Sequence, residues 1–309
     1  MTGTSKAMSS ILRIAGLPAL FRPSTSHVYP PFKNGRYMEE YLYEFFLVHG
    51  DEIQTKWIYL PVFWTNLQNH PAFAVQKGKY QLLLNRAVSS YPVGSQFFTC
   101  VQHDDGPGLV LPPGTVVYGA CSGNVPLPLI YEDVTERLLT VSRRSFHEKD
   151  MVASFIGTIG THSVRGLLRD VLGGKEGIYF SSRGAWSPSV PEEDAERFIE
   201  VTSRSRFCLA PRGYGRSSFR FFEAMLLDVV PVYVWDDVEW LPYLAEIDYK
   251  RFCISVHVSE LPSLYDRLAK IGEEEYEKMV EEMRRVRSLF GLEGMCGWLG
   301  GQLASQSFI

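Results

Sequence analysis

Between Arg206 and Asp237 the chain reads RFCLAPRGYGRSSFRFFEAMLLDVVPVYVWDD, which crowds Arg212, Arg216 and Arg220 around Gly213 and Gly215 and follows them with Glu223. Guanidinium groups clamp phosphates through paired hydrogen bonds, and glycines let bare backbone approach a ligand. An apolar run precedes the loop, and Ser217 or Ser218 is placed to cap a helix predicted over 218–227. The start of such a helix offers unpaired N–H groups and partial positive charge, a seat for phosphate oxygens. Phe219, Phe222 and Leu226 fall at helical spacing, which predicts the buried stripe, with Arg216 and Glu223 together on its rim and Arg220 a little further round. A carboxylate in the position of Glu223 can accept hydrogen bonds from vicinal sugar hydroxyls. The parts suit a nucleoside diphosphate; the plainer reading is a surface ion pair between Arg220 and Glu223. Neither GxxxxGK[ST] nor a strand-linked GxGxxG is present, so the phosphate loops of those two motif classes are excluded.

A second glycine turn occurs in SFIGTIGTHSVRGLLRD, where Ser163 can cap a helix and Arg165 falls in its first turn. A cation is disfavoured at a helix N-terminus, so Arg165 is better placed with an anion between it and the helix; a plain tight turn is the alternative. Upstream, QHDDG sets His103, Asp104 and Asp105 before Gly106-Pro107, where acidic residues commonly cap turn backbone.

The surrounding elements alternate. RYMEEYLYEFFLVHG predicts an amphipathic helix from Arg36 to His49, with Glu39 and Glu40 on its surface. Strands are expected at Trp57–Trp64, Phe97–Gln102 and Val116–Cys121, and a helix at Tyr80–Ser89. The charged run Thr135–Asp150 reads as a helix. The pattern then restarts: strand Met151–Gly157, helix from Ser163, strand Gly177–Phe180, helix Pro191–Ser203, strand Arg206–Pro211, the loop, and strand Val229–Trp235. Near-continuous apolar strands separated by helices predict parallel sheets covered on both faces. The expected fold is α/β with two Rossmann-like domains, residues 1–148 and 149–309, and residues 1–26 carry no clear periodicity. Glu273–Gly291 reads as a long amphipathic helix.

At 309 residues and 45% hydrophobic, the chain has the length and core for two domains. Its net charge of −4 removes the basic face that nucleic acid requires, so no nucleic-acid partner is expected. Five dispersed cysteines without a CxxC pair fit reduced thiols, and SSILRIAGLPALF is broken by Arg13 and Pro18. A soluble, cytoplasmic protein without stable membrane insertion is therefore expected.

The stretch SRFCLAPRGYGRSSFRFFEAMLLDVVPVYVWDDVEWLP resembles the signature of exostosin-like glycosyltransferases of family 47: Phe-Cys-Leu-x-Pro-x-Gly, Ser-x-Arg-x-x-Glu-Ala, then Val-Pro-Val. SFIGTIGTHSVRGLLRD resembles that family's Gly…Arg element, and IYLPVFW and FFTCVQHDDG its N-terminal strands; the resemblance runs from about Tyr37 to Pro242. Without the anchor and stem of many members, the expected likeness is to the short soluble forms of bacteria or large viruses, with the host cytoplasm as the expected location if viral and the Golgi lumen only if an anchor has been removed.

The resemblance implies GT-B architecture, with two parallel sheets facing a central cleft, and inverting transfer of a sugar from a UDP-sugar to a hydroxyl of an oligosaccharide or glycoprotein acceptor. Donor binding then falls to Arg165, Arg212, Gly213, Arg216, Ser217, Ser218, Arg220 and Glu223, with no metal and no other cofactor. The base is sought among Asp104, His103 and Asp105. Tyr29, Phe32, Tyr37 and Trp64 are candidates to stack on acceptor sugars. Among donors, xylose, galactose, arabinose and glucuronate remain open, with a lean to xylose. A catalytically silent glycan- or nucleotide-sugar-binding partner subunit is the alternative.

Overall fold

A computed structural model describes residues 11–24, 35–185, 187 and 190–305. Tyr29 and Phe32 lie outside the described residues, as do positions 1–10 of the N-terminal stretch. The first half runs β1 (Arg13–Ile14), α1 (Met38–His49), β2 (Trp57–Tyr59), α2 (Trp64–Asn69), α3 (Phe73–Val88), β3 (Gln96–Val101), β4 (Val116–Gly119) and β5 (Val125–Pro126). The second runs β6 (Met151–Thr158), α4 (Ser163–Leu172), β7 (Ile178–Arg183), α5 (Glu192–Ser203), β8 (Ser205–Pro211), α6 (Phe219–Leu226), β9 (Val230–Trp235), β10 (Ile254–His257), α7 (Leu261–Lys270), α8 (Glu273–Val286) and α9 (Leu292–Ser305).

These strands form two five-stranded sheets, β1-β2-β3-β4-β5 and β10-β9-β8-β6-β7, and every pairing is parallel. This is the GT-B arrangement of two Rossmann-like sheets. Numbered along its own half of the chain, the second sheet has the doubly wound order 2-1-3-4-5. In such sheets the chain reverses direction between the first and third strands, and the carboxyl ends of those strands flank a crevice that binds ligands. Here that point lies between β6 and β8, so the two glycine loops face one another across it.

Apolar runs build the sheets because strands covered on both faces must bury every side chain. Phe207, Leu209, Ala210, Val230, Val232 and Val234 are all fully buried. In the first half, α1 lays Met38, Leu42 and Phe46 on one face of the sheet, where Phe46 meets Tyr59 and Phe98 edge to face. Tyr80 and Leu84 of α3 cover the other face with Ile58 and Phe97. The last helix returns to the first half: α9 packs against α1, and Trp298 meets both Tyr118 and Tyr243.

Several elements depart from the sequence reading. Arg13–Ile14 joins the first sheet as an edge strand beside β2, although the stretch shows no periodicity. Thr135–Asp150 is not a helix: it runs as turns to a single 3₁₀ turn at Phe146–Glu148. Thr135 donates from both N and Oγ1 to Asp133, and Glu136 stands at φ 51°, a left-handed conformation that a helix cannot continue through. Tyr37 and Trp64 are buried in the core and do not face a ligand. Glu39 is fully buried, not on the surface. Among the described residues no helix is long and apolar enough to cross a membrane.

Candidate functional site

The carboxyl ends of β6 and β8, the start of α6 and part of α5 line a cavity of about 180 Å³, closed on one side by Asp104 and Leu129 of the first half. Arg165 enters from the first turn of α4. Its Nε donates to Arg212 O at 2.9 Å and its Nη1 to Thr158 O at 2.8 Å, which pins the guanidinium between the two glycine loops. Arg220 reaches back from α6, donating from Nε to Ile156 O. Both guanidiniums lie over the Phe155 ring, at 5.8 and 5.4 Å from its centroid. Gly157 makes room for this: a Cβ there would collide with the Arg220 guanidinium. Gly213 serves Arg165 likewise, since a Cβ would stand 2.9 Å from Arg165 Nη2.

The helix start is built differently from the sequence reading. Ser218 holds the N-cap position with extended backbone, but its side chain makes no capping bond. Its Oγ is buried, lines the cavity and has no hydrogen-bond partner among the described residues. A buried hydroxyl without a partner costs about 1–3 kcal/mol, and an anion at the helix start offers that partner along with the first-turn N–H groups of α6. The buried stripe of α6 is Phe221, Phe222, Ala224 and Met225, so of the expected stripe Phe222 is buried while Phe219 and Leu226 are only partly so. Arg216 precedes the helix, so the angular relation to Glu223 expected from helical spacing does not arise.

Arg216 and Arg212 turn away from the cavity. Arg212 Nη1 pairs with Asp236 at 2.8 Å and Asp237 at 2.7 Å, and Arg216 Nε pairs with Asp237 at 2.8 Å. Burial works to raise Asp237, yet the hydrogen bonds from Arg216 and the Val238 amide and the charge of Arg212 hold it at about 2, so the cluster stays ionised. Arg216 also sits over the Trp240 ring, and Tyr233 donates to Arg216 O at 2.7 Å. These two arginines brace the loop from behind while Arg165 and Arg220 face the cavity.

Glu223, half-buried on the cavity wall, accepts from the phenol of Tyr131 at 2.9 Å. Burial raises it above the usual carboxylate range, against the opposing charge of Arg220 and the Tyr131 bond. Of the three acid–base candidates, Asp104 alone lines the cavity. Its side chain is exposed to solvent, yet the protein crowded around it raises the carboxyl, while the neighbouring Cys121 and His103 pull the other way. His103 is lowered by burial and accepts from Asp105 N, so its ring serves the turn. Asp105 is exposed and lies outside the lining. Arg183, at the carboxyl end of β7, and its ion-pair partner Asp194 also line the cavity. Placement of strand ends at the crevice could have flagged Arg183; Tyr131, 92 residues from Glu223, gave no sequence signal. Among the described residues no three His, Cys, Asp or Glu side chains gather as metal ligands.

Residues 121–271, just under half of the chain, match the exostosin GT47 domain. The segment holds β6 to β10 and every residue expected to bind the donor, whereas Asp104 stands outside it. A probable glycosyltransferase of Arabidopsis thaliana, At3g07620, is 33% identical over 94 residues, covering 30% of this chain and 20% of that protein. The probable beta-1,4-xylosyltransferase IRX10 of the same plant is 30% identical over 121 residues, 36% of this chain and 29% of its own length. The exostosin-1 homolog of Caenorhabditis elegans is 32% identical over 96 residues, 31% of this chain and 25% of its own. The matched stretch thus spans a fifth to under a third of those relatives. Among solved structures, AviGT4, a glycosyltransferase involved in avilamycin A biosynthesis, overlays 96% of this chain and 98% of its own at a TM-score of 0.38 and 11% identity.

Proposed function

We propose that the protein is an inverting glycosyltransferase that moves a sugar from a UDP-sugar to a hydroxyl of a glycan acceptor. The observation that carries this reading is the shared cavity. Two guanidiniums and an unpartnered serine at a helix start line one wall, and a carboxylate from the opposite half stands across from them. Arg165, Arg220 and the N–H groups at Ser217 and Ser218 stabilise the charge that grows on the departing diphosphate, being fixed before the reaction begins. Glu223, oriented by Tyr131, holds hydroxyls of the ribose or the donor sugar. Asp104 takes the acceptor proton as its oxygen attacks the anomeric carbon from the face opposite the diphosphate. A raised carboxylate is the better base, because its affinity for the proton comes nearer to the working pH.

Fixed guanidinium charge supplies what a divalent cation supplies in other transferases, so this route runs without added metal. Arg183 is neutralised by Asp194, which favours a neutral donor sugar such as xylose over a uronic acid. The name of the IRX10 relative agrees with that choice, although relatives named for glucuronosyl and arabinosyl transfer match comparably.

A panel of nucleotide sugars tests the reading. UDP-sugars should raise the thermal midpoint by mass action, and UDP should be released when a glycan acceptor is added, in EDTA as well as with manganese. If no nucleotide sugar stabilises the protein, the reading is wrong.

A further inference from the structure

Among the described residues every phenylalanine, tyrosine and tryptophan is at least partly buried except Tyr214, which is 60% exposed. Tyr214 stands in the loop between β8 and α6 and lines the cavity where the two halves meet. The loop runs buried, exposed, buried through Gly213, Tyr214 and Gly215. Both glycines are pressed against protein: a Cβ on Gly213 would stand 2.9 Å from Arg165 Nη2, and one on Gly215 would collide with Asp104 Oδ1. The flanking residues are held from behind. Arg212 O accepts from Arg165 Nε at 2.9 Å, Arg216 O accepts from the Tyr233 phenol at 2.7 Å, and both arginine side chains pair with Asp237. A loop fixed on both sides displays its central ring with little conformational entropy left to lose on binding.

We propose that Tyr214 is the stacking platform for the acceptor, and that the acceptor is a neutral, extended chain of pyranose rings with equatorial hydroxyls, of xylan or cellulose type. This rests on the function proposed above. A single exposed apolar side chain is ordinary on an outer surface, but this ring lines a cavity, where ligand pockets place their aromatic groups. The order of groups along the cavity assigns the ligand. Gly215, bonded to Tyr214, abuts the Asp104 carboxylate, whereas Glu223 lies a full turn into α6, beyond the anion seat at Ser218. The nucleoside therefore falls at Glu223, and the attacking sugar falls at Asp104 and Tyr214. A pyranose with equatorial hydroxyls turns its axial C–H groups outward, and these meet the negative face of an aromatic ring. The Asp104 carboxylate beside the platform repels a uronate, so the ring that stacks there is neutral.

The probes are xylotetraose and cellotetraose, each titrated calorimetrically into wild type, Tyr214→Ala and Tyr214→Phe in the presence of UDP. At least one of the two should bind wild type. Its affinity should fall roughly tenfold in Tyr214→Ala and stay within about twofold in Tyr214→Phe, which keeps the ring. UDP affinity should stay within about twofold in both variants, because the nucleoside lies at Glu223. An exposed side chain adds little to the core, so both variants should unfold close to the wild-type midpoint. Three results overturn the proposal: neither oligosaccharide binds wild type, Tyr214→Ala binds it as tightly as wild type, or Tyr214→Ala loses as much affinity for UDP as for the oligosaccharide. The last would set the ring against the nucleoside. If the titrations behave as expected but wild type releases no UDP from any UDP-sugar, the functional reading fails and the platform stands. If UDP is released to an acceptor that Tyr214→Ala binds unchanged, the function stands and the platform fails.

Discussion

The phenol of Tyr131 donates to Glu223 Oε1 at 2.9 Å and packs edge to face on Phe219, so one side chain from the connecting segment orients the carboxylate and buttresses the start of α6. A hydrogen bond to a charged group contributes about 1.5–3 kcal/mol. Tyr131→Phe should therefore cost roughly ten- to a hundredfold in kcat/KM for the donor, with a thermal midpoint lowered by no more than a few degrees. Glu223→Ala should abolish transfer in a folded protein. Full activity in Glu223→Ala removes Glu223 from the site.

Two glycines three residues apart, one at the end of β6 and one in the turn after it, make a sharper test of the anion seat. Gly157 abuts the Arg220 guanidinium, whereas Gly160 has nothing within 4 Å of where a Cβ would stand. Gly157→Ala should displace Arg220 and weaken UDP binding at least tenfold, about 1.4 kcal/mol, as Arg220→Ala does directly. Gly160→Ala should leave affinity unchanged. Calorimetric titration with UDP reads both; equal affinities in the two alanine variants would remove Arg220 from the phosphate wall.

The pattern of apolar runs made both sheets legible, because parallel strands bury every side chain and so announce themselves without a partner in view. The loop at 212–218 was legible as a ligand loop for a local reason, glycines and arginines between a strand and a helix. What stayed hidden depends on contacts far apart in sequence. Arg212 and Arg216 pair with Asp236 and Asp237 more than 20 residues away, so the sequence shows four arginines and not which two face the cavity. The Arg13–Ile14 strand is too short to show a period. Thr135–Asp150 has helix-like composition, but the Asp133 turn and the left-handed Glu136 override it, as tertiary context overrides propensity.

Asp228 supplies a control outside the cavity. It is buried, stands at φ 54°, and accepts from Arg284 Nη2 at 2.8 Å and Arg287 Nη1 at 2.9 Å, with Arg143 Nε at 3.3 Å. Asp228→Asn keeps a residue tolerant of the left-handed backbone but leaves three guanidiniums around a neutral amide. Breaking a buried ion pair costs about 3–5 kcal/mol, and the part-exposed arginines reduce that to about 2–3 kcal/mol. Urea unfolding should show this loss while UDP affinity holds at pH values where the variant is folded. A variant of wild-type stability would mean that the arginines are satisfied by solvent.

Glu39 gives the chain a pH signature. It is fully buried; its Oε1 accepts from Thr65 N, Thr65 Oγ1 and Gln102 N, while its Oε2 has no partner among the described residues. Burial outweighs those bonds and raises the carboxyl from 4.5 to about 7. The folded state therefore holds this proton more tightly than the unfolded chain does. The resulting stability is fully present below about pH 4.5, declines as pH rises, and is gone above about pH 7, a change of about 3 kcal/mol. Glu39→Gln cannot ionise, so its stability should lack this decline, and the variant should gain on wild type between pH 5 and pH 8. Urea midpoints of the two proteins at both pH values measure the difference. Parallel behaviour would show that Glu39 is ionised in the fold at both, with a partner on Oε2 such as bound water stabilising the charge.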